Sequence, residues 1–173
     1  MRLDQIPAHT DRKRTIRTVV ETPRGSRTKF SYDPKLQAMV LKKTLPEGMV
    51  FPYDFGFIPS TRGEDGDPLD VLILMDVCTC PGCVIECRLI GLIKAQQKEK
   101  GGKSVRNDRY IAVEADSLVY QDIADVSELP SHFMEQLEEF FIGYNKLSQK
   151  SFKPLGVLGA NAAWKRLKAE TKE

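Results

Sequence analysis

The sequence predicts a mainly β fold with helices packed on it, and three observations support this fold class. Short runs of β-type residues bounded by turn residues fill the first two thirds of the chain. One run, residues 71–75, is apolar at every position, which is typical of a strand buried on both faces. The last third changes to helical spacing. With 173 residues, 41% of them hydrophobic, we expect one domain over residues 1–173.

The predicted strands are short and are separated by proline and glycine turns. They cover residues 17–21, 28–32, 36–41, 71–75, 83–93 and 110–113. The residues that break these runs include Pro23, Gly25, Pro34, Pro46, Gly48, Pro81 and Gly82. Five to seven strands of this kind indicate a barrel or a sandwich, and the pattern alone leaves both open.

Two helices are predicted near the carboxyl end. The apolar stripe of the first consists of Phe133, Leu137, Phe140, Phe141 and Tyr144. Pro130 is well placed near the start of this helix. The second helix is predicted to begin with Asn161 as its N-cap and to run through Lys168, with basic residues towards its end, as the helix dipole favours.

The charge balance argues against several function classes. The chain has 26 Lys and Arg against 24 Asp and Glu, a net charge of +2, which is too balanced for a disordered tail or a dedicated polyanion binder. Without a run of about 18 apolar residues, or the layout of a secretory signal, we expect a cytoplasmic protein with reduced thiols and no disulfides. Residues 1–30 and 94–109 are locally basic. Two interpretations are open: solvated surface segments, or segments that converge on a bound anion.

An acidic turn carries the densest chemical signal. Asp65, Asp67 and Asp70 lie on a turn with Gly66 and Pro68 that leads directly into the buried strand. Three carboxylates on a rigidly anchored turn can gather oxygen ligands around Mg²⁺. A helix-loop-helix calcium site is excluded, because Asp70 stands where such a loop needs its glycine. An acidic surface turn without a metal is the alternative.

The residues upstream of this turn favour the metal site. The stretch Phe51-Pro52-Tyr53-Asp54-Phe55-Gly56-Phe57-Ile58 precedes the run from Asp65 to Asp70, and together they closely resemble the soluble, family I inorganic pyrophosphatases. The resemblance also covers Glu21, Lys29, the Pro81-Gly82 turn and the predicted long helix with Tyr144. It spans most of the chain in the family's order.

This resemblance implies a five-stranded, OB-like β-barrel with the carboxyl-terminal helices packed on it. It also implies a cytoplasmic homohexamer that hydrolyses inorganic diphosphate to two phosphates with Mg²⁺. The implied roles are metal ligation by Asp65 and Asp70, and activation of the attacking water by Asp67. The implied substrate-binding residues are Glu21, Lys29, Lys43, Phe55, Arg109 and Tyr144. Metals and cations would neutralise the diphosphate, and a carboxylate would take the proton of the water.

Several positions depart from the family pattern. A family carboxylate is replaced by Ser31, two tyrosines by phenylalanine, including Phe55, and an arginine by Lys43. In the later metal-binding loop the family's aspartates align with Gln97 and Asn107 and its lysine with Arg109. Two further acids, Asp108 in place of Asn107 and Glu99 in place of Gln97, are alternative ligands in this loop. On the long helix the family's lysine is replaced by Asn145, with Lys146 next to it.

These departures leave more than one function open. A slow Mg²⁺-dependent pyrophosphatase is the favoured prediction, because the three aspartates of the turn are kept. The alternatives are an inactive relative that binds phosphate or a protein partner, and a hydrolase of a related phosphoanhydride or phosphoester. Nucleic-acid binding on an OB-like face is disfavoured by the low net charge and by the acidic turn, and membrane binding is not expected.

Four cysteines form a separate cluster whose role the sequence leaves open. Cys78, Cys80, Cys83 and Cys87 fall within ten residues, a density that is common in zinc sites. The predicted Pro81-Gly82 turn, however, places them on two arms of a hairpin. We therefore expect buried, reduced cysteines that pack as small hydrophobic residues.

Overall fold

Nine strands and two helices make up the computed structural model, which describes residues 2–98 and 101–171. The strands are β1 (Thr15–Thr22), β2 (Thr28–Asp33), β3 (Ala38–Thr44), β4 (Asp54–Ile58), β5 (Leu69–Leu74), β6 (Val84–Lys98), β7 (Ser104–Arg106), β8 (Arg109–Glu114) and β9 (Ser151–Gly159). The helices are α1 (Ser131–Lys146) and α2 (Ala160–Glu170). A mainly β fold with carboxyl-terminal helices is therefore confirmed.

Five strands close into a ring. Their order is β1, β4, β5, β8 and β6, and β6 pairs back onto β1. All neighbours in the ring are antiparallel except β5 and β8, which run parallel. This closure selects a barrel over a sandwich and agrees with the five-stranded, OB-like prediction. Closing the ring leaves these five strands without an open edge.

Outside the ring, β2 and β3 form a hairpin, and β7 and β9 pair with the long strand β6. The predicted strand over residues 36–41 begins two residues later, because the chain turns at Gln37 with a positive φ of 52°. The strands β4, β7 and β9 were not predicted. β4 lies in the aromatic stretch, and its five residues are all buried.

Apolar packing divides between two faces of the ring. On one face, side chains of the barrel pack against α1 through Phe133, Leu137 and Phe141. On the other face they pack against α2 through Ala163 and Leu167. The predicted stripe of α1 is confirmed, with Phe140 and Tyr144 packed at its margin. The residues that follow α1 lead into β9, which attaches α1 to the long strand of the barrel.

The start of α2 differs from the prediction. The helix begins at Ala160 with Gly159 at the N-cap, so Asn161 lies inside it. The free N–H of Ala160 donates to the Asp125 carboxylate at 2.7 Å. This acceptor lies 35 residues earlier in the chain, so a local N-cap signal could not identify it. Neither helix in the described part of the chain combines the length and apolar character needed to span a bilayer.

Candidate active site

The acidic turn joins β4 to β5 and has a compact backbone. Gly63 N–H donates to the carbonyl of Asp67 at 2.8 Å, and Gly66 takes a φ of 92°, which favours glycine. The Asp67 N–H donates to a carboxylate oxygen of Asp65 at 3.2 Å. Asp65 and Asp67 are exposed, whereas Asp70 lies on β5. The turn therefore presents two carboxylates to solvent and anchors the third in the sheet.

Asp70 is paired with a buried arginine on the neighbouring strand. Parallel pairing of β5 and β8 sets Asp70 beside Arg109, and Nη1 of the arginine lies 2.6 Å from Oδ2 of the aspartate. Three aromatic rings surround the guanidinium, from Phe55, Phe141 and Phe152, with centroids 5.4–6.0 Å away. The cation is thus held by one carboxylate and three ring faces.

Burial dominates the electrostatics of the acidic residues. It raises the pKa of Asp70 to about 6, although the positive charges of Arg109 and Lys29 act in the opposite direction. The pKa of Asp67 is also raised, first by partial desolvation of its carboxylate and then by the negative charges of Asp65 and Glu21. The negative charges of neighbouring carboxylates therefore disfavour the ionised form of each aspartate.

A β-bulge aims Glu21 at a buried lysine. The register of β1 against β4 shifts between Val20 and Thr22, which leaves Glu21 as the extra residue. Its carboxylate lies 2.8 Å from Nζ of Lys29 and accepts hydrogen bonds from the Ser31 hydroxyl at 2.9 Å and the Tyr32 N–H at 2.7 Å. Three donors therefore fix Glu21, and Glu21 in turn fixes the ammonium of Lys29.

The β2–β3 hairpin brings two lysines together. Lys29 and Lys43 are directly opposite each other in its register. Nζ of Lys29 lies 4.4 Å from the centroid of Phe55, and Nζ of Lys43 lies 3.6 Å from the centroid of Tyr144. The Lys43 ammonium also donates to the Ser148 hydroxyl at 2.6 Å. Each ammonium is therefore oriented by an aromatic ring.

Further charges act on this lysine pair. The pKa of Lys43 is lowered, first by burial and then by the positive charges of Lys150 and Lys29. Burial raises the pKa of Tyr144 to about 12, and the charges of Asp70 and Glu21 add to the effect. The lysines, Tyr144 and the acidic residues are therefore close enough to shift one another's pKa values, and they belong to one candidate site.

The bend between β7 and β8 supplies two of the predicted ligands. The amide of Asn107 donates to Oε1 of Gln97 at 3.3 Å, and its oxygen accepts from Arg109. Asp108 is buried and accepts from the Ala95 N–H at 2.9 Å. Its other oxygen lies near the guanidinium groups of Arg106 and Arg166, at 3.2 and 3.1 Å. Glu99, the predicted alternative to Gln97, lies outside the described residues.

One shallow cavity connects the acidic turn to this bend. Its lining includes Asp65, Asp70, Asn107 and Asp108, the four predicted metal ligands. Within the described residues, no three acid, histidine or cysteine side chains are arranged as a ready metal site. The structure therefore brings the four residues to one place without forming a closed cage of protein ligands.

Comparison with known proteins is decisive for the family. A family model described as inorganic pyrophosphatase matches residues 18–173. The chain belongs to the inorganic pyrophosphatase family. The chain is 37% identical over 171 residues to the inorganic pyrophosphatase of Thermus thermophilus, which covers 99% of this chain and 93% of that protein. It is 35% identical over 156 residues to the inorganic pyrophosphatase of Synechocystis, covering 90% and 89%.

The fold agrees with solved structures of the inorganic pyrophosphatase family. The crystal structure of the Thermus thermophilus inorganic pyrophosphatase superposes with a TM-score of 0.89 and 34% identity, over 98% of this chain and 96% of that chain. The crystal structure of an inorganic phosphatase from Anaplasma phagocytophilum superposes with a TM-score of 0.86 and 29% identity, over 96% of each chain. The predicted resemblance to family I is confirmed.

The residues that depart from the pyrophosphatase pattern make other contacts in this structure. Ser31 supports Glu21 in place of a carboxylate. Phe55 supplies a ring face to both Lys29 and Arg109, where a tyrosine would add a hydroxyl. Asn145 is buried and donates to the carbonyl of Phe141 at 2.9 Å, so it does not provide a cation to the site.

Sequence reasoning missed several residues of this pyrophosphatase site. The positive charge of Lys150 lowers the pKa values of Lys43 and Asp67. Lys146, which follows the position where Asn145 replaces the family's lysine, is exposed. Arg106 bridges the acidic turn at Glu64 to Asp108. Arg106 lies in the basic segment 94–109, but local basic charge does not distinguish a site residue from a surface residue, and Lys150 lies in neither basic segment.

The cysteine cluster is only partly as predicted. Cys87 is buried, and burial raises the pKa of its thiol to about 12. Cys78 and Cys80 are exposed and Cys83 is half-buried, so the expectation of four buried thiols is wrong. The reason is that the segment between β5 and β6 leaves the sheet after Leu74 and crosses the surface.

Proposed function

We propose that this chain hydrolyses inorganic diphosphate to two phosphates and uses Mg²⁺ to do so. Membership of the inorganic pyrophosphatase family and the names of relatives at 35–37% identity support this activity. We also propose that the chain acts in the cytoplasm, as a homo-oligomer with hexameric symmetry. The residue roles that follow are part of the same proposal.

One observation carries the assignment of an anionic substrate, namely the opposed pair Lys29 and Lys43. Like charges directly opposite each other in an antiparallel pair are destabilising, so their placement needs a compensating anion. Glu21 offsets Lys29, at 2.8 Å, whereas the contacts of the Lys43 ammonium are with the Ser148 hydroxyl and the ring of Tyr144, which carry no negative charge. A diphosphate, which carries several negative charges, supplies the missing compensation.

The donor chemistry of the acidic turn fits Mg²⁺. Asp65 and Asp70 offer carboxylate oxygens and Asn107 offers an amide oxygen at the same cavity, and Asp67 lies on the same turn as Asp65. Mg²⁺ in phosphoryl-transfer sites typically takes one or two carboxylates and completes its octahedron with water and substrate oxygens. A site without a closed group of three protein ligands suits this mode of binding. When bound, Mg²⁺ would offset phosphate charge and lower the pKa of a water ligand.

The general base and the substrate-binding groups are residues of the chain. We assign Asp67 as the general base, because its carboxylate is exposed on the turn between two further carboxylates. We assign Lys29, Lys43 and Tyr144 to the phosphate oxygens, since the two lysines are opposite each other in the hairpin and Nζ of Lys43 lies over the ring of Tyr144 on α1. Arg109 contacts both Asp70 and Asn107 and so keeps their side chains in position.

The uncharged residues Ser31, Gln97 and Asn107 lower the affinity of the site for additional metal ions. Each replaces a family carboxylate, and neutral oxygens bind Mg²⁺ less strongly than carboxylates do. We therefore propose a turnover slower than that of a pyrophosphatase with a complete set of acids, and a higher Mg²⁺ requirement. The measurable sign is a rate that continues to rise at millimolar Mg²⁺.

The test is phosphate release from diphosphate by the purified full chain across a Mg²⁺ titration. Asp67→Asn is expected to reduce kcat by at least about 100-fold, as loss of a general base does. The matched control is Asp122→Asn, which changes an exposed aspartate in the β8–α1 segment and should retain activity.

Three results would contradict the proposal in different ways. Equal activity of wild type and Asp67→Asn would remove the assigned base. Release of phosphate only from a phosphorylated metabolite would support a related phosphoester hydrolase instead. No release at high protein concentration would support an inactive relative, and size-exclusion chromatography of the same sample would separate this from failure to fold.

A further inference from the structure

Two thiols meet at the surface turn between β5 and β6. The sulfur atoms of Cys80 and Cys83 lie 3.1 Å apart. Cys80 is exposed and Cys83 is half-buried, so both are open to reagents in solution. The pair is thus in contact, accessible, and separate from the acidic turn and the lysine hairpin.

The backbone of the turn holds the two cysteines in this arrangement. The sequence Cys80-Pro81-Gly82-Cys83 forms a β-turn in which the Cys83 N–H donates to the Cys80 carbonyl at 3.2 Å. Gly82 has a φ of 92°, which with proline before it marks a type II turn. The ends of such a turn lie within about 7 Å, which overlaps the Cα separation that a disulfide needs.

Neighbouring strands anchor the turn on both sides. Gly82 N–H donates to the Val20 carbonyl at 2.8 Å, and Val20 N–H donates to the Cys83 carbonyl at 2.9 Å. The N–H of Thr79 donates to the buried Asp54 carboxylate at 3.1 Å. The two cysteines are therefore held in proximity by the folded sheet, and joining them requires only a small side-chain movement.

We propose that Cys80 and Cys83 form a reversible dithiol–disulfide couple, a redox modification site on the surface of this enzyme fold. A cysteine pair separated by two residues is the spacing used by thiol–disulfide exchange proteins. A metal site is disfavoured, because no third acid, histidine or cysteine side chain among the described residues completes a ligand group with these two.

In the proposed thiol–disulfide exchange, a low-molecular-weight disulfide is the oxidant. The Cys83 thiolate attacks one sulfur of the disulfide, forms a mixed disulfide and releases one thiolate. The Cys80 sulfur, after losing its proton to solvent, attacks Cys83 and releases the second thiolate. Two cysteine thiols and one external disulfide thus become one protein disulfide and two external thiols.

The environment favours Cys83 as the first nucleophile. Hydrogen bonds from the Thr79 hydroxyl and the Cys80 thiol lower the pKa of the Cys83 thiol. A larger thiolate fraction speeds the first attack at a given pH. Cys80 has the more exposed sulfur and a raised pKa, mainly through its hydrogen bond to Cys83, which suits the second, resolving step.

The test counts thiols in the purified, reduced full chain before and after incubation with oxidised glutathione. The chain has four cysteines, and the thiol count after denaturation is expected to fall from four to two. Peptide mapping should find the Cys80–Cys83 linkage with a mass loss of two hydrogens, and dithiothreitol should restore all four thiols. This readout does not depend on diphosphate hydrolysis, so it stands or fails independently of the proposed function.

Variants separate this couple from general thiol oxidation. Cys78→Ser should still form the disulfide, because Cys78 is not part of the contact. Cys80→Ser should instead accumulate a glutathione adduct on Cys83, since the resolving thiol is gone. An unchanged thiol count, a Cys78–Cys80 linkage, or an equal yield of adduct on every exposed cysteine would overturn the proposal. Protection of the thiols by copurified zinc would also overturn it.

Discussion

Arg109 reaches Asp70 across the only parallel strand pair in the described ring, with 2.6 Å between Nη1 and Oδ2. The same guanidinium nitrogen donates to the carbonyls of Asn107 and Asp108, each at 3.1 Å. One side chain therefore joins the acidic turn to the β7–β8 bend, which are the two segments that line the proposed metal site. The pair makes Arg109 a positioning residue as well as a source of positive charge.

Removing this guanidinium should damage both stability and activity. Arg109→Ala leaves Asp70 without its partner and empties the space between three aromatic rings, at a cost of about 3 kcal/mol. Arg109→Lys keeps the charge but loses the planar contacts, so a smaller loss is expected. Urea unfolding and kcat/KM measure the two effects. Equal stability of Arg109→Ala and wild type would contradict the structural role of the pair.

Asn107 and Asp108 should have separable roles at the β7–β8 bend. Asp108→Asn removes the carboxylate that Arg106 and Arg166 share, so we expect a loss of about 2–3 kcal/mol in unfolding free energy. Its half-saturating Mg²⁺ concentration should stay near wild type. Asn107→Ala should raise that Mg²⁺ concentration about threefold or more, because an oxygen donor is lost.

Mg²⁺ titrations of phosphate release and urea unfolding of both variants distinguish these roles. The reverse pattern, with Mg²⁺ affinity lost in Asp108→Asn and stability lost in Asn107→Ala, would make Asp108 the ligand. The buried carboxylate would then have to leave its two arginine partners when the metal binds.

Lys150 should replace the cation that Asn145 does not supply. Its positive charge lowers the pKa values of Lys43 and Asp67, so we expect its ammonium to contact phosphate oxygens of the substrate. Lys150→Ala should raise KM for diphosphate about tenfold, the value of one charged hydrogen bond. Steady-state kinetics test this. The exposed Lys146, changed to alanine, is the matched control and should leave KM unchanged.

Local patterns were sufficient for six of the nine described strands, for both helices and for the acidic turn. The all-apolar run forms most of β5, where residues 71–74 are buried, and the stripe of α1 faces the barrel. These features depend on periodicity within one segment, which the sequence contains directly. The missed strand β9 pairs with β6 only after α1 has returned the chain to the barrel, so its pairing depends on long-range contacts.

The site was predictable where residues act alone and unpredictable where they act through distant partners. The family motif indicated Lys29 and Asp67 directly as candidates, and their roles stay predictions. The partner of Lys43, Ser148, lies 105 residues away, and the cap of α2 comes from Asp125. The contact between Cys80 and Cys83 needed the turn geometry as well as the spacing. Three-dimensional placement, which no single segment encodes, determines these relationships.

Gly56 should be intolerant of any side chain, because β1 and β4 approach closely there. A Cβ at this position would lie 1.8 Å from the Val19 carbonyl oxygen, which cannot move without breaking the pairing next to Glu21. Gly56→Ala is expected to cost about 3 kcal/mol or more, or to prevent folding. Gly143→Ala is the control, since its Cβ would lie 3.7 Å from Cε of Met49, which is an ordinary van der Waals contact.

This control should be stabilising by about 0.5–1 kcal/mol, because alanine replaces glycine inside α1. Thermal and urea unfolding compare the two variants. A Gly56→Ala protein as stable as wild type would mean that β1 and β4 are further apart than described.

Asp125 should make the stability of the chain sensitive to acid. Its carboxylate accepts from the N–H groups of Ser127 and Ala160, and these bonds lower its pKa below the ordinary value of 3.8. A carboxyl with a depressed folded-state pKa contributes its full stability above the unfolded-state pKa. That contribution is lost as the pH falls through the folded-state pKa. The expected window therefore lies below 3.8.

At neutral pH, Asp125→Ala should lose about 1 kcal/mol or somewhat more, because one carboxylate caps both the 3-10 turn at Val126–Glu128 and the start of α2. The difference from wild type should narrow in acid, since protonation weakens the same bonds in the wild-type chain. Urea unfolding at about pH 7 and about pH 3 measures the change. Asp122→Asn serves as the exposed control, and a constant difference between wild type and Asp125→Ala at both pH values would show that the carboxylate charge does not hold α2 in place.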